Sequence, residues 1–355
     1  MKKTNWSVGW GLTNACNLSC LHCYNSSAKK SIDEINTSEA KKVINWLSEL
    51  NVRSLNYGTG ECGLKKDFWE IVKYAHLKGI KQGITTNGWS VNKETISLVK
   101  KYMNDVDVSL DFPNKKKHNW FRGSNTAWDD AIDALDLLKQ YKIPFSIVIC
   151  FTSKNTTKRI LDGFLTLSKK YNCNLRINLF RPTGRGATNK SLSLTPKKAH
   201  QAFRYLLERS NLIAVPDPYL AALLNIKADG CPCGKRSFRI TPKKTIVPCV
   251  YLTKNTIQDP IIAGHEKDLA NTKSFIEFNN RKLDFCTDCE HYTICKGGCA
   301  SRAYFKSKTF DAPDSLCYKL AKIKKNPLAD INIKKIPKKK LVHEDYLCTL
   351  IIKAK

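Results

Sequence analysis

Between residues 5 and 209, short runs of Val, Ile, Leu and aromatic residues alternate with longer stretches whose apolar positions recur three and four residues apart. The short runs are Trp6–Leu12, Val52–Tyr57, Gly79–Thr86, Asp105–Leu110, Pro144–Phe151 and Leu175–Phe180. They are rich in strand-forming residues or punctuated by Gly, Asn, Asp or Pro, and they predict strands. Between them, Val43, Ile44, Leu47 and Leu50 mark one face of a helix over Ala40–Leu50. Phe68, Ile71, Val72 and Ala75 repeat the spacing, as do Ile96, Val99 and Met103. Ala131, Leu135 and Leu138 form a fourth stripe, and Ile160, Phe164 and Leu167 a fifth. A sixth helix is expected to open at Thr195-Pro196, a capping residue followed by proline in the first turn. Six βα units in series predict a parallel sheet with right-handed crossovers. Six units fall short of a closed eight-stranded barrel. The expected fold is α/β, a partial (β/α)6 barrel, with a doubly wound open sheet as the alternative.

The pattern changes in the last third of the chain. Cys231–Tyr318 has few long periodic segments and many cysteines, which predicts a loop-rich region held by metal rather than by a large apolar core. Lys322–Lys340 then carries eight lysines, Lys334, Lys335, Lys338, Lys339 and Lys340 among them, and one acid, Asp330. That stretch reads as a solvated surface or as an anion-binding arm. The expected organisation is a barrel over 1–212, a cysteine-rich domain over 213–320 and a basic C-terminal tail over 321–355.

Composition adds three constraints. The 355 residues are 42% apolar, enough to bury a core, and 60 Lys plus Arg against 31 Asp plus Glu leave a formal charge of +29. Such a field favours anionic partners. No run of about 18 apolar residues occurs, and Met1 to Trp6 lack the apolar stretch of an export signal, so no membrane partner and a cytoplasmic location are expected.

Fifteen cysteines are many for such a chain. A disulfide scaffold fits badly, given the length, the odd count and the missing export signal. The cysteines also cluster. Cys16, Cys20 and Cys23 lie together, eight lie from Cys231 to Cys317, and Cys62, Cys150, Cys173 and Cys348 are scattered. The first three follow the first strand, where reactive loops of parallel βα folds gather. Three thiolates cannot close a tetrahedral zinc site or saturate a four-iron cluster, so a cluster held by them keeps one iron open. A zinc half-site completed elsewhere is the bland alternative.

The segment Asn14 to Tyr24 resembles the CxxxCxxC signature of the radical SAM superfamily, with His22 at its aromatic-type position. The resemblance implies a partial (β/α)6 TIM-like barrel whose [4Fe-4S] cluster is held by Cys16, Cys20 and Cys23. It implies that S-adenosylmethionine chelates the open iron and is reductively cleaved. The resulting 5′-deoxyadenosyl radical then abstracts a hydrogen atom from the substrate. Tyr57 to Cys62 is similar to the family's Gly-Gly-Glu segment, with Thr59 in place of the first glycine and with Gly60 and Glu61 at the methionine amino group. Thr86 and Asn87 end strand three, and Ser109 and Asp111 end strand four. His118 and Arg122 follow them, and Asn178 takes a typical sixth-strand position. The implied cofactor-binding set is His22, Gly60, Glu61, Thr86, Asn87, Ser109, Asp111, Arg122 and Asn178. Singly, Glu61 and Asp111 also fit as capping residues, and Asn87-Gly88 as a turn. Cys62 stands where proline is commoner. A buried structural thiol, a substrate-facing thiol and a cluster ligand are all open readings for it.

The later cysteines run Cys231, Cys249, Cys286, Cys289, Cys295, Cys299 and Cys317. Alone they fit a zinc-ribbon pair that binds nucleic acid. In order they resemble the SPASM domain, which implies two auxiliary [4Fe-4S] clusters. Cys231, Cys249 and Cys299 fall to the first, and Cys286, Cys289, Cys295 and Cys317 to the second. The first lacks a fourth thiolate. Cys233 is the nearest candidate, and Cys62 or an open iron are the others. Lys244 stands where the domain has a glycine, so an altered turn is expected there. Cys150 reads as a strand-core thiol.

Relatives with both halves mostly modify peptides or proteins. The resemblance therefore implies a maturase of a ribosomally made peptide, acting by cross-linking, thioether formation, epimerisation or excision. A sulfatase-type formylglycine maturase is the second reading, and a zinc-dependent nucleic-acid-binding protein the third. The expected partners are a peptide, one with an acidic leader given the charge, and a reductant such as flavodoxin or ferredoxin. Cys16 comes too early for a preceding leader-recognition domain, so another surface or a separate leader-binding protein is expected.

Overall fold

The computed structural model describes residues 6–252, 259–260, 269, 272–333, 342 and 347–355. Each predicted strand forms within its predicted run: β1 (Ser7–Trp10), β2 (Ser54–Tyr57), β3 (Lys81–Thr86), β4 (Asp105–Ser109), β5 (Phe145–Phe151) and, one residue early, β6 (Asn174–Leu179). The helices between them are α1 (Thr37–Glu49), α2 (Phe68–Leu77), α3 (Ile96–Tyr102), α4 (Lys115–Arg122), α5 (Ala127–Gln140) and α6 (Lys158–Tyr171), with α7 (Pro196–Arg209) after β6. At the start of α1, the Asn36 side chain accepts from the Glu39 N–H while the Glu39 carboxylate accepts from the Asn36 N–H. α7 starts as expected, with the Thr195 hydroxyl accepting from the Lys198 N–H just ahead of Pro196. α4 escaped the sequence pattern because it opens on three lysines and buries only His118, Phe121 and Arg122.

β1 to β6 pair in parallel in sequence order. Crossovers of one hand that always step the same way place the helices on one face of the sheet. A doubly wound sheet must reverse its strand order, and this one does not. The fold is the partial (β/α)6 TIM-like barrel, a sheet curled into a half-barrel. Strand alternation then divides the residues of β4 to β6. Val106, Val108, Ile147, Ile149, Leu175 and Ile177 pack into the apolar core. Asp107, Ser109, Val148, Cys150, Arg176 and Asn178 line the concave side.

Further strands extend both edges. β7 (Ser210–Ala214) follows α7, and β8 (Ser237–Ile240) pairs parallel to β1. β9 (Thr245–Val247) and β10 (Asp259–Pro260) continue that edge antiparallel. At the other edge β11 (Leu350–Ala354) inserts antiparallel between β6 and β7. This corrects the expectation of a basic tail running from 321 to 355, because the run Leu350, Ile351, Ile352 is buried and joins the sheet. Leu328 is buried too, and Arg204 donates to the Pro327 carbonyl and pairs with Asp330. Lys334, Lys335, Lys338, Lys339 and Lys340 lie outside the described residues.

The cysteine-rich region contributes short helices, α8 (Pro218–Leu223), α9 (Lys273–Asn279), α10 (Tyr292–Cys295) and α11 (Ala300–Ser307). A buried ion network ties it together. Arg302 pairs with both Asp217 and Asp314. Asp217 caps α8, and Asp314 accepts from the Cys299 N–H.

The turn between β8 and β9 places a lysine on a backbone that favours glycine. Lys244 itself adopts the left-handed conformation, φ +61°, and its ammonium lies 2.7 Å from Glu39. An L residue in that region costs roughly 1–2 kcal/mol. Lys244→Gly is therefore expected to fold at least as stably as the parent. Lys244→Ile is expected to lose about 1–2 kcal/mol in chemical denaturation, because a β-branched side chain tolerates that region worst. Equal loss in both variants would show that the ion pair, not the backbone, carries the turn.

Candidate active site

The concave face of the half-barrel holds a cleft of about 1240 Å³, counting its open mouth. Cys16, Cys20 and Cys23 line it from the loop after β1, beside residues from the C-terminal ends of β2 to β6. That loop is held from the opposite side. The Arg185 guanidinium donates to the carbonyls of Cys20 and Ser27, the Asn189 amide to that of Leu21, and the Gly186 N–H to that of Cys23. Gly184 makes the close approach possible: it sits at φ +59°, and a Cβ there would meet the Tyr24 carbonyl oxygen at 2.3 Å. Burial pushes the Cys16 thiol up to about 11 and the Cys20 thiol up to about 12. Thiols so shifted stay protonated until a metal replaces the proton.

Of the sequence-predicted set, His22, Gly60, Glu61, Thr86, Asn87, Ser109, Arg122 and Asn178 all line the cleft. Gly60, at φ +62°, presses against the thiol loop, where a Cβ would meet the Ala15 carbonyl oxygen at 2.3 Å. Thr59 holds φ +121° without being glycine, and its hydroxyl lies 3.0 Å from that of Tyr24. Glu61 is buried and accepts from the Thr86 hydroxyl, the Asn87 N–H and the Ser90 hydroxyl. Burial raises its carboxyl pKa against those donors. His22 stacks on Phe121 with ring centroids 4.5 Å apart, and burial lowers its pKa to about 4, so the ring is neutral.

Asp111 is the exception. It does not line the cleft but lies behind Arg122, accepting from Arg122 Nε at 2.7 Å and from the Cys150 N–H at 2.7 Å. Its carboxylate positions Arg122, whose guanidinium reaches 3.9 Å from Cys20 Sγ, and lies 3.6 Å from His22 Nε2. Asp111→Asn leaves a buried guanidinium without its anion. A loss of about 3–5 kcal/mol in chemical denaturation is expected, and an unchanged midpoint would show that Arg122 is held by other groups. Cys150, expected as a strand-core thiol, packs against the core and also lines the cleft. Cys62 is fully buried in the turn after β2 and does not line the cleft.

The later cysteines gather in two places. Cys286, Cys289, Cys295 and Cys317 line a common pocket beside α8 and α10. Cys231, Cys233, Cys249 and Cys299 meet at the cleft's far side, joined by Cys348. Cys348 Sγ lies 3.4 Å from Cys231 Sγ. Sequence spacing missed Cys348, since it stands far beyond the other cysteines. The signal was the apolar run Leu350, Ile351, Ile352 just after it, which reads as a buried strand. Among the described residues, no three His, Cys, Asp or Glu side chains converge as ligands of a single ion. Arg181 was missed as well. It is buried on the residue after Phe180, with no carboxylate within salt-bridge distance among the described residues. Its guanidinium donates to Cys299 Sγ at 3.1 Å and covers the Tyr251 ring at 4.1 Å.

The family described as the radical SAM superfamily matches residues 10–164. The mycofactocin maturase MftC of Mycobacterium tuberculosis is 31% identical over 328 residues, covering 87% of this chain and 81% of that protein. The chain belongs to the radical SAM superfamily. MftC of Mycolicibacterium smegmatis is 30% identical over the same shares of both chains. Two solved structures share the fold. Streptococcus suis SuiB bound to its precursor peptide SuiA matches with a TM-score of 0.72 at 15% identity, over 89% of this chain and 76% of that one. AnSMEcpe with bound AdoMet and the Kp18Cys peptide matches with 0.71 at 18% identity, over 90% and 96%.

A [4Fe-4S] cluster and S-adenosylmethionine are the cofactors that radical SAM membership implies, and the cleft's own chemistry fits them. Three thiols line it together, a glycine keeps the adjoining backbone free of a side chain, and two buried polar atoms of lining residues, His22 Nδ1 and Asn178 Oδ1, have no hydrogen-bond partner among the described residues. Buried polar atoms are rarely left unpaired unless a ligand completes them. No helix among the described residues is long and apolar enough to cross a membrane.

Proposed function

We propose that this radical SAM enzyme is a SPASM-type maturase of a ribosomally made peptide. One observation carries the reading: the similarity to MftC, named a maturase, extends over 87% of this chain and so reaches beyond the radical SAM match at residues 10–164 into most of the cysteine-rich region. The precursor peptide bound to SuiB and the peptide bound to anSMEcpe, both proteins of this fold, support a peptide as the substrate class. The zinc-dependent nucleic-acid reading loses its ground once the family is known, and nothing favours the formylglycine-maturase reading over this one.

In this proposal Cys16, Cys20 and Cys23 hold the radical cluster. Bound there, the cluster and S-adenosylmethionine supply one-electron reductive cleavage and, through it, hydrogen-atom abstraction. The chain's own residues bind and orient. Glu61, fixed by Thr86, Asn87 and Ser90, sets the edge of the Gly60–Glu61 backbone toward the cofactor's amino group. Arg122, steadied by Asp111, offers positive charge beside Cys20. Asn178 Oδ1 offers an open acceptor, Ser109 a hydroxyl and His22 a neutral stacked ring. Residues 213–320 form the SPASM domain, with Cys286, Cys289, Cys295 and Cys317 as the ligands of one auxiliary [4Fe-4S] cluster and Cys231, Cys249 and Cys299 as ligands of the other. Arg181 supports a cluster at that second place, since a buried guanidinium without a carboxylate calls for an anion. Substrate and electrons come from an acidic-leader peptide, favoured by the +29 charge, and from a reductant such as flavodoxin or ferredoxin in the cytoplasm. The peptide's leader is met by another surface of this chain or by a separate leader-binding protein.

The test uses anaerobically purified, dithionite-reduced protein with S-adenosylmethionine and the small peptide encoded beside its gene. Formation of 5′-deoxyadenosine together with a mass change in the peptide is expected. Cleavage that no such peptide stimulates, and that leaves every peptide's mass unaltered, would overturn the reading.

A further inference from the structure

Five thiols meet on the far side of the cleft where a four-iron cluster takes four. Three of them, Cys231, Cys249 and Cys299, are the expected ligands. Cys233 and Cys348 compete for the fourth position, and their surroundings differ. Cys233 lies in a tight turn that fixes its main chain. It is bridged to Ser237, the Gly234 N–H donates to the Ser237 carbonyl at 2.7 Å, and the Pro232 carbonyl before it accepts from the N–H groups of Lys235, Arg236 and Ser237. Two ligands flanking a proline in so closed a loop leave little freedom to reach separate irons. Cys348 has no such loop. It is buried, lies 3.4 Å from Cys231 and contacts Cys299, as Cys233 contacts Cys231 and Cys249, so each joins two of the three expected ligands, but Cys348 does so from a distant part of the chain and outside the closed loop. Arg181, the guanidinium without a carboxylate, donates to Cys299 within this same group, so positive charge is already in place for the thiolates.

We propose that Cys348 is the fourth thiolate of the first auxiliary [4Fe-4S] cluster, with Cys231, Cys249 and Cys299, and that Cys233 is a neighbour and not a ligand. The inference rests on the SPASM reading above. It adds a structural role: Cys348 stands two residues before β11, so loading the cluster fastens that strand between β6 and β7. Four thiols bind as thiolates, so four protons leave as the site fills.

The test uses full-length chain with Cys16, Cys20 and Cys23 changed to Ala, which isolates the auxiliary iron. The parent in that background should hold about eight irons with matching acid-labile sulfide. Cys348→Ala and Cys348→Ser should each fall to about four irons, lose one reduced-cluster EPR signal, and show faster amide exchange in Leu350–Ala354. Cys233→Ala should keep its iron, its signals and its slow exchange. Circular dichroism equal to the parent's in Cys348→Ser separates lost ligation from lost folding. Full iron in both Cys348 variants overturns the proposal, whether Cys233→Ala loses iron or the site simply works with three thiolates. Loss of iron in Cys233→Ala as in the Cys348 variants overturns the choice between them. A parent with no auxiliary iron at all instead overturns the SPASM reading itself, and this proposal with it.

Discussion

Replacing Cys16, Cys20 and Cys23 together by Ala abolishes formation of 5′-deoxyadenosine from S-adenosylmethionine and removes roughly four irons from about twelve. The expectation is large because the three thiols are the only cysteines on the loop that follows β1, and the cleft they line also holds the unpaired atoms of His22 and Asn178. The remaining iron should persist, since Cys286, Cys289, Cys295 and Cys317 line a separate pocket with Asp314, which also accepts from the Cys299 N–H. Chromatography of the nucleoside and colorimetric iron and sulfide on the same preparation check both halves. Cleavage surviving in the triple variant sinks the assignment of the radical site, and total loss of iron places all the metal on one loop.

The second large effect is expected at Arg181. Arg181→Met keeps much of the side chain's apolar length but removes the charge that faces Cys299 and the thiols around it. Breaking a buried pair from one side costs about 3–5 kcal/mol, because the partner stays buried without compensation. The variant should lose about four irons and unfold well below the parent, while Arg181→Lys should retain part of both. Reductive cleavage of S-adenosylmethionine without peptide should persist, since the proposed radical site has its own thiols, Cys16, Cys20 and Cys23. A methionine variant with full iron and the parent's unfolding temperature would show that the guanidinium is not the partner of these thiolates.

The two variants also mark how far sequence reached. The barrel was legible because each βα unit states its period locally: strands of four to seven residues between helices with clear apolar stripes. The thiol loop was legible for the same reason, its three cysteines being close in sequence. Groups brought together by the curl of the sheet were not. Asp111 and Arg122 read as two cofactor contacts, yet only the register of β4 against α4 shows that one stands behind the other. Cys150 read as core alone because nothing in a single strand tells which face will be concave. Lys244 is a lysine on a backbone that favours glycine, with φ +61°, which the letters alone do not show. Arg181 and Cys348 carry no spacing at all, and their meaning lies in each being buried beside thiols from another part of the chain.

The pairing of Leu350 with Ile177 has a consequence for how the molecule is made. β6 leaves the ribosome long before the strand that will cover its edge. At about 5–20 residues per second, that edge waits on the order of ten seconds or more. An exposed strand edge of this kind invites pairing with another nascent chain. Expression at lower temperature or with a chaperone that shields strand edges should therefore raise the yield of soluble protein, and truncation before residue 350 should send the chain into aggregates. Iron delivery to the thiols near β11 belongs after that strand has been made and has found its place between β6 and β7.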